Sequence, residues 1–139
     1  MDRWAALSQI ESGDNDCAVG SAGEISRYQV RPEVWREHAR PSADWQRRED
    51  ALAVAQELMK ERCAEFEKSY HRPPTDLEFY ILWNAPAQIE KPSKAVRERA
   101  ERFFNLVAAR AAKHKHPSTE GPTFPGLCLL AGIRDNLAE

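Results

Sequence analysis

The 139-residue, 15.8 kDa chain has the length of one domain, and at 42% hydrophobic and 30% charged it holds enough apolar material for a core, which argues against global disorder. Twenty Lys and Arg against 22 Asp and Glu leave a formal charge of −2, so there is no whole-protein field to hold nucleic acid, and none is expected as a partner. No apolar run approaches the roughly 18 residues that span a bilayer, and the opening MDRWAALSQI lacks the basic-then-apolar pattern of a signal peptide.

In chain order, Asp2 is placed to cap a first helix running to about Glu11, where Trp4, Leu7 and Ile10 recur three apart on one apolar face. The following SGDNDCAVGSAGEIS reads as a loop, because Gly, Ser, Asn and Asp dominate it. Tyr28-Gln29-Val30 is too short to assign. Pro32 suits the first turn of a short helix through Val34 and Trp35, which Arg40-Pro41 breaks. Ser42 is expected to cap a long amphipathic helix over residues 43–70. Its inward face carries Trp45, Leu52, Ala55, Leu58, Met59, Cys63 and Phe66, and His71-Arg72-Pro73-Pro74 ends it.

Thr75-Asp76-Leu77-Glu78 has the capping-box pattern. The helix it opens carries Leu77, Phe79, Tyr80, Ile81, Leu82 and Trp83, is apolar on most sides, and reads as the central buried helix. Ser93 caps a last helix that turns Val96, Ala100, Phe103, Phe104 and Val107 inward. The basic residues from Lys91 to Lys115 interleave with Glu98 and Glu101 as a solvated face. From about residue 117 the chain turns Pro- and Gly-rich and reads as a tail, in which LCLLAGI could pack back on the core. With no repeat and no alternating strand run, residues 1–139 read as a single, mainly α domain.

Cys17, Cys63 and Cys128 are widely separated, with no CxxC and no Cys/His cluster at zinc spacing, so neither a metal nor another cofactor is expected. The chemistry concentrates instead in Glu11 through Pro32. A carboxyl at the end of an apolar helix can be desolvated, which raises its pKa and suits it to general-acid work near neutrality. The Gly-rich loop behind it can wrap a ligand. Composition alone favours reading Glu11 as a solvated helix-end residue instead.

The segment ESGDNDCAVGSAGEISRYQVRP resembles the goose-type lysozymes and soluble lytic transglycosylases. Their pattern is Glu-Ser, a loop with Asn, then Gly-Ala-x-Gly-Leu-Met-Gln, an apolar residue, x and Pro. Glu11-Ser12 matches the Glu-Ser pair, Asn15 the loop Asn, Gly23 the first Gly, Gln29 the Gln and Pro32 the closing Pro. A second block, Leu82-Trp83-Asn84-Ala85-Pro86, resembles the family's Ala-Tyr-Asn-Ala-Gly. The likeness covers roughly the first 90 positions. Ser26-Arg27-Tyr28 stands where the family has Gly-Leu-Met, Trp83 where it has Tyr, Pro86 where it has Gly, and Glu24 where it has a small residue.

The resemblance implies a lysozyme-like helical fold and a peptidoglycan-cleaving glycosidase acting on the β-1,4 bond between N-acetylmuramic acid and N-acetylglucosamine. Glu11 would be the general acid, and peptidoglycan glycan strands the partner. A transglycosylase would close a 1,6-anhydro product on the substrate's own 6-hydroxyl, whereas a hydrolysing muramidase would need a second group, for which Glu24, Asp14 and Asp16 are candidates and Glu24 the best placed. Gln29, Tyr28, Asn84, Trp83, Ser12 and Glu24 would line the groove, although Gln29 and Asn84 could equally tie loop backbone together. A non-catalytic glycan-binding or structural module of the same fold is the competing expectation. Either function implies a periplasmic or extracellular location for a mature domain. The Trp83-Asn84-Ala85 segment is expected to lie beside the Glu11 carboxyl, because both end strongly apolar helices.

Overall fold

A computed structural model of the protein describes residues 2–115. The tail from about residue 117, with Cys128 and LCLLAGI, lies outside the described residues. Helix α1 (Arg3–Ser12) starts at Asp2, whose carboxylate accepts from the N–H groups of Trp4 at 3.1 Å and Ala5 at 3.2 Å. It stops at Gly13, whose φ of 64° is a left-handed position that favours glycine. The N–H of Asp14 then returns to the Ser8 carbonyl and satisfies the last turn.

The short helix α2 (Pro32–His38) has Pro at its first position, as expected. Helix α3 (Arg48–Tyr70) begins five residues later than the Ser42 cap predicts. The reason is the carboxylate of Asp50, which accepts from the backbone N–H of Asp44 and from Arg40. Asp44 in turn accepts from Gln46 N–H. Residues 43–47 are thereby folded into turns, a competition that short acidic side chains often win against helix. Trp45 still packs on the core, but from this turn rather than from a helix face.

Helix α4 (Asp76–Asn84) opens with the complete capping box: Thr75 Oγ1 accepts from Glu78 N–H and Glu78 accepts from Thr75 N–H. Phe79, Tyr80, Ile81, Leu82 and Trp83 are all buried, so α4 is the central helix. It packs against α3 on one side and, most extensively, against α5 (Lys94–Lys115), which also holds α1. A 3₁₀ turn, Pro86–Gln88, follows α4. Phe104, expected inward, is exposed, as is Leu77 in the first turn of α4. Phe103 takes the stripe that faces α4, and one residue further along a helix is rotated by about 100°.

An aromatic chain crosses this core. Trp83 meets Tyr28 edge-on at 6.4 Å, Tyr28 meets Trp4 at 6.2 Å, Trp4 meets Phe79 at 5.6 Å, and Phe79 stacks on Phe103 at 5.9 Å. Each such pair contributes about 0.5–1.5 kcal/mol beyond its area burial. The chain runs from the end of α4 through the α1–α2 loop to α1 and α5, so it fixes the loop to the helices.

No strand forms among the described residues. The α1–α2 loop is closed by isolated antiparallel bridges, Val19 to Ile25 and Ile25 to Val30. Arg27, standing where the resembled family has an apolar residue, is buried and supports the loop from below. It donates to Asp14 at 2.9 Å and to the Ser8 hydroxyl at 3.2 Å, and it pairs with Asp16 at 3.1 Å. A buried guanidinium needs such partners to offset its desolvation.

Candidate active site

The C-terminal ends of α1 and α4 open onto one cleft of about 610 Å³. Glu11, Glu24, Gln29, Trp83 and Asn84 all line it. The Trp83–Ala85 segment therefore shares a groove with Glu11, as the two apolar helices imply. Ser12 and Tyr28 do not line it. The Ser12 hydroxyl donates to the Arg27 carbonyl at 2.8 Å and accepts from Asn15 N–H, so it ties the loop to the end of α1. Tyr28 is 3% exposed and serves the aromatic chain, where burial pushes its hydroxyl up to about 12. Trp35 is buried in the core and does not line the cleft either.

Gln29 does both of the things considered for it. Its amide donates to the Ser26 carbonyl at 2.9 Å and the Ala18 carbonyl at 3.3 Å, while the residue faces the cleft. Gly20 makes the arrangement possible: a Cβ there would fall 2.6 Å from Gln29 Oε1 and still nearer to Glu24 Oε2. Glu24 accepts from Ala22 N–H at 3.1 Å. Asn84 is exposed, and among the described residues its side chain makes no hydrogen bond. Asp14 and Asp16 are engaged by Arg27 and do not line the cleft, which leaves Glu24 as the second carboxyl there.

The Glu11 side chain is only 10% exposed. Tyr80 donates its hydroxyl to Glu11 Oε1 at 2.8 Å, Arg99 Nε donates to that hydroxyl at 3.0 Å, and Arg99 Nη2 stands 3.6 Å from Oε1. Burial raises the pKa of Glu11 above the ordinary carboxyl value. The Tyr80 hydrogen bond and the Arg99 charge oppose burial without overcoming it, and the nearby Glu24 charge adds to the rise. Tyr80 itself is held in its protonated form by burial and by Glu11.

The donor order has a chemical consequence. Arg99 donates to the Tyr80 oxygen, so the tyrosine proton points on to Glu11 Oε1. Among the described residues no hydrogen bond is made to the other carboxyl oxygen, Oε2. Trp83 stands where the resembled family has Tyr, and the hydroxyl that meets Glu11 comes from Tyr80, one helical turn earlier. The available signal was that Tyr80 is the sole hydroxyl in the apolar run Phe79–Trp83, and a buried Tyr hydroxyl needs a partner. Arg99 was detectable only as a basic residue adjoining the inward Ala100.

Arg62, on α3, was also missed. It donates to the carbonyls of Leu82 at 2.7 Å and Trp83 at 2.8 Å, satisfying the C-terminal end of α4 beside the cleft. Among the described residues no cluster of His, Cys, Asp or Glu could hold a metal ion, and no helix is long and apolar enough to cross a membrane. No protein-family model, curated protein or solved structure matches the chain.

Proposed function

We propose that the protein is a glycosidase of lysozyme-like fold that cleaves peptidoglycan, with Glu11 as its general acid. The observation that carries this reading is the desolvated Glu11 carboxyl, held by Tyr80 at the wall of an open cleft with Trp83 and Asn84. A carboxyl whose pKa is raised by burial holds its proton to higher pH than an ordinary one and can protonate a glycosidic oxygen as the sugar gains oxocarbenium character. Once ionised, Glu11 is stabilised by Tyr80 and Arg99, and a carboxylate so placed can take the proton of the sugar's 6-hydroxyl. The resemblance of Glu11-Ser12, Gln29 and Trp83-Asn84-Ala85 to lytic transglycosylases favours this second step and a 1,6-anhydro product. Such a substrate places the working protein in the periplasm or outside the cell.

Digestion of purified peptidoglycan followed by mass spectrometry tests it. Release of fragments one water lighter than their reducing-end counterparts, lost in Glu11→Gln, is the expected result. Binding of peptidoglycan without any released fragment would instead mark a non-catalytic glycan-binding module. A hydrolysing muramidase is favoured by one observation, the presence of Glu24 in the same cleft. Reducing-end products that disappear in Glu24→Gln would select it.

A further inference from the structure

The charged groups lining the cleft are three guanidinium groups, Arg31, Arg62 and Arg99, and two carboxyls, Glu11 and Glu24. When Glu11 carries its proton, one carboxylate faces three cations. Arg62 is committed to the α4 carbonyls. Arg99 donates through Nε to the Tyr80 hydroxyl and stands with Nη2 3.6 Å from Glu11 Oε1; among the described residues its two terminal nitrogens make no hydrogen bond, and its side chain is 40% exposed. Arg31 lies at the rim, exposed, and pairs with no described residue.

From this arrangement we infer that Arg99 is a specificity-determining residue that reads a carboxylate on the bound glycan, with Arg31 supporting it from the rim. The guanidinium geometry suits the task. Its Nε bond to Tyr80 fixes the plane of the group, and its terminal N–H groups are then available for paired donation to a carboxylate. The fixed plane also limits the rotamer freedom lost on binding. The ligand class is thus an acidic rather than a neutral saccharide. The inference rests on the glycan-cleft reading above and narrows it.

In peptidoglycan the carboxylate has two sources, the lactyl group of a strand stripped of its stem peptides, or the stem peptide itself. Titration calorimetry with the intact protein separates them. The ligands are a stripped muramic acid-containing hexasaccharide, the same strand with its peptides, and chitohexaose as the uncharged control. Arg99→Gln is expected to weaken binding of a carboxylate-bearing strand by about tenfold or more. Chitohexaose should weaken distinctly less than the acidic strands, and added salt should diminish the difference. The strand with the larger loss identifies the source. Arg99→Lys should recover part of the loss, because it keeps the charge without the fixed plane. Equal weakening of acidic and neutral strands would reduce Arg99 to a support for Tyr80 and overturn the inference alone. Failure of the wild-type protein to bind any of the three would overturn the glycan reading and this inference with it.

Discussion

Tyr80 and Glu11 lie 69 residues apart and meet through a 2.8 Å hydrogen bond from the phenol to carboxyl Oε1. The bond favours ionised Glu11 and so works against the burial that raises its pKa. Tyr80→Phe removes the bond and keeps the ring. The Glu11 pKa should therefore climb further, which carboxyl-carbon NMR titration measures directly. The variant should also lose about 1 kcal/mol of stability. A Glu11 pKa that falls or stays fixed would show that the phenol does not act on the carboxyl.

Glu11 makes the folded protein pH-sensitive in a defined direction. A carboxyl whose folded pKa lies above its unfolded value binds its proton more tightly when folded. Its contribution to stability is therefore complete below the unfolded pKa, ordinarily near 4.5, and is lost as pH rises through the higher folded value. Glu11→Gln removes that loss. Thermal melts should show the variant gaining on the wild type between pH 4 and pH 7, while peptidoglycan turnover drops by at least about a hundredfold. A variant that loses ground across that range would contradict the burial argument.

The capping box carries the opposite sign. The clamp of Arg72 on Glu78, at 2.7 Å to each oxygen, holds the Glu78 carboxyl well down, at about 2, with help from Thr75. Its stabilisation is present above the ordinary value of 4.5 and fades as pH falls toward about 2. The stability difference between wild type and Glu78→Gln should be largest near neutrality and vanish in acid. A difference that persists at pH 2 would assign it to packing rather than charge.

Gly20→Ala tests the loop. The added methyl would push the ends of Glu24 and Gln29 aside, but both are flexible side chains and the Gly20 backbone does not require a positive φ. Stability should change by less than about 1 kcal/mol, while glycan binding weakens because two cleft-lining side chains are displaced. Unaltered binding would mean that neither side chain touches the ligand.

Local signals made much of the helical scaffold legible. Asp2, Pro32 and the Thr75–Glu78 box each mark a helix start through a short-range bond or a backbone restriction, and all act as the sequence implies. The start of α3 was not legible, since Asp50 reaches back six residues to organise the chain ahead of it. The site divides the same way. Glu11, Glu24, Gln29, Trp83 and Asn84 carry motif or composition signals, and all line the cleft. Tyr80, Arg99 and Arg62 act through contacts 19 to 69 positions away, which no local spacing encodes.

The carbonyls that Arg62 satisfies have a further bearing on Asn84. Because the end of α4 is held from α3, the last residue of that helix has no structural duty for its side chain, and it stands exposed in the cleft. Substitutions at position 84 should leave the melting temperature nearly unchanged while altering which sugars are retained. On the proposed glycan reading, a saturation library at residue 84 would be the economical place to look for altered glycan preference without loss of the fold.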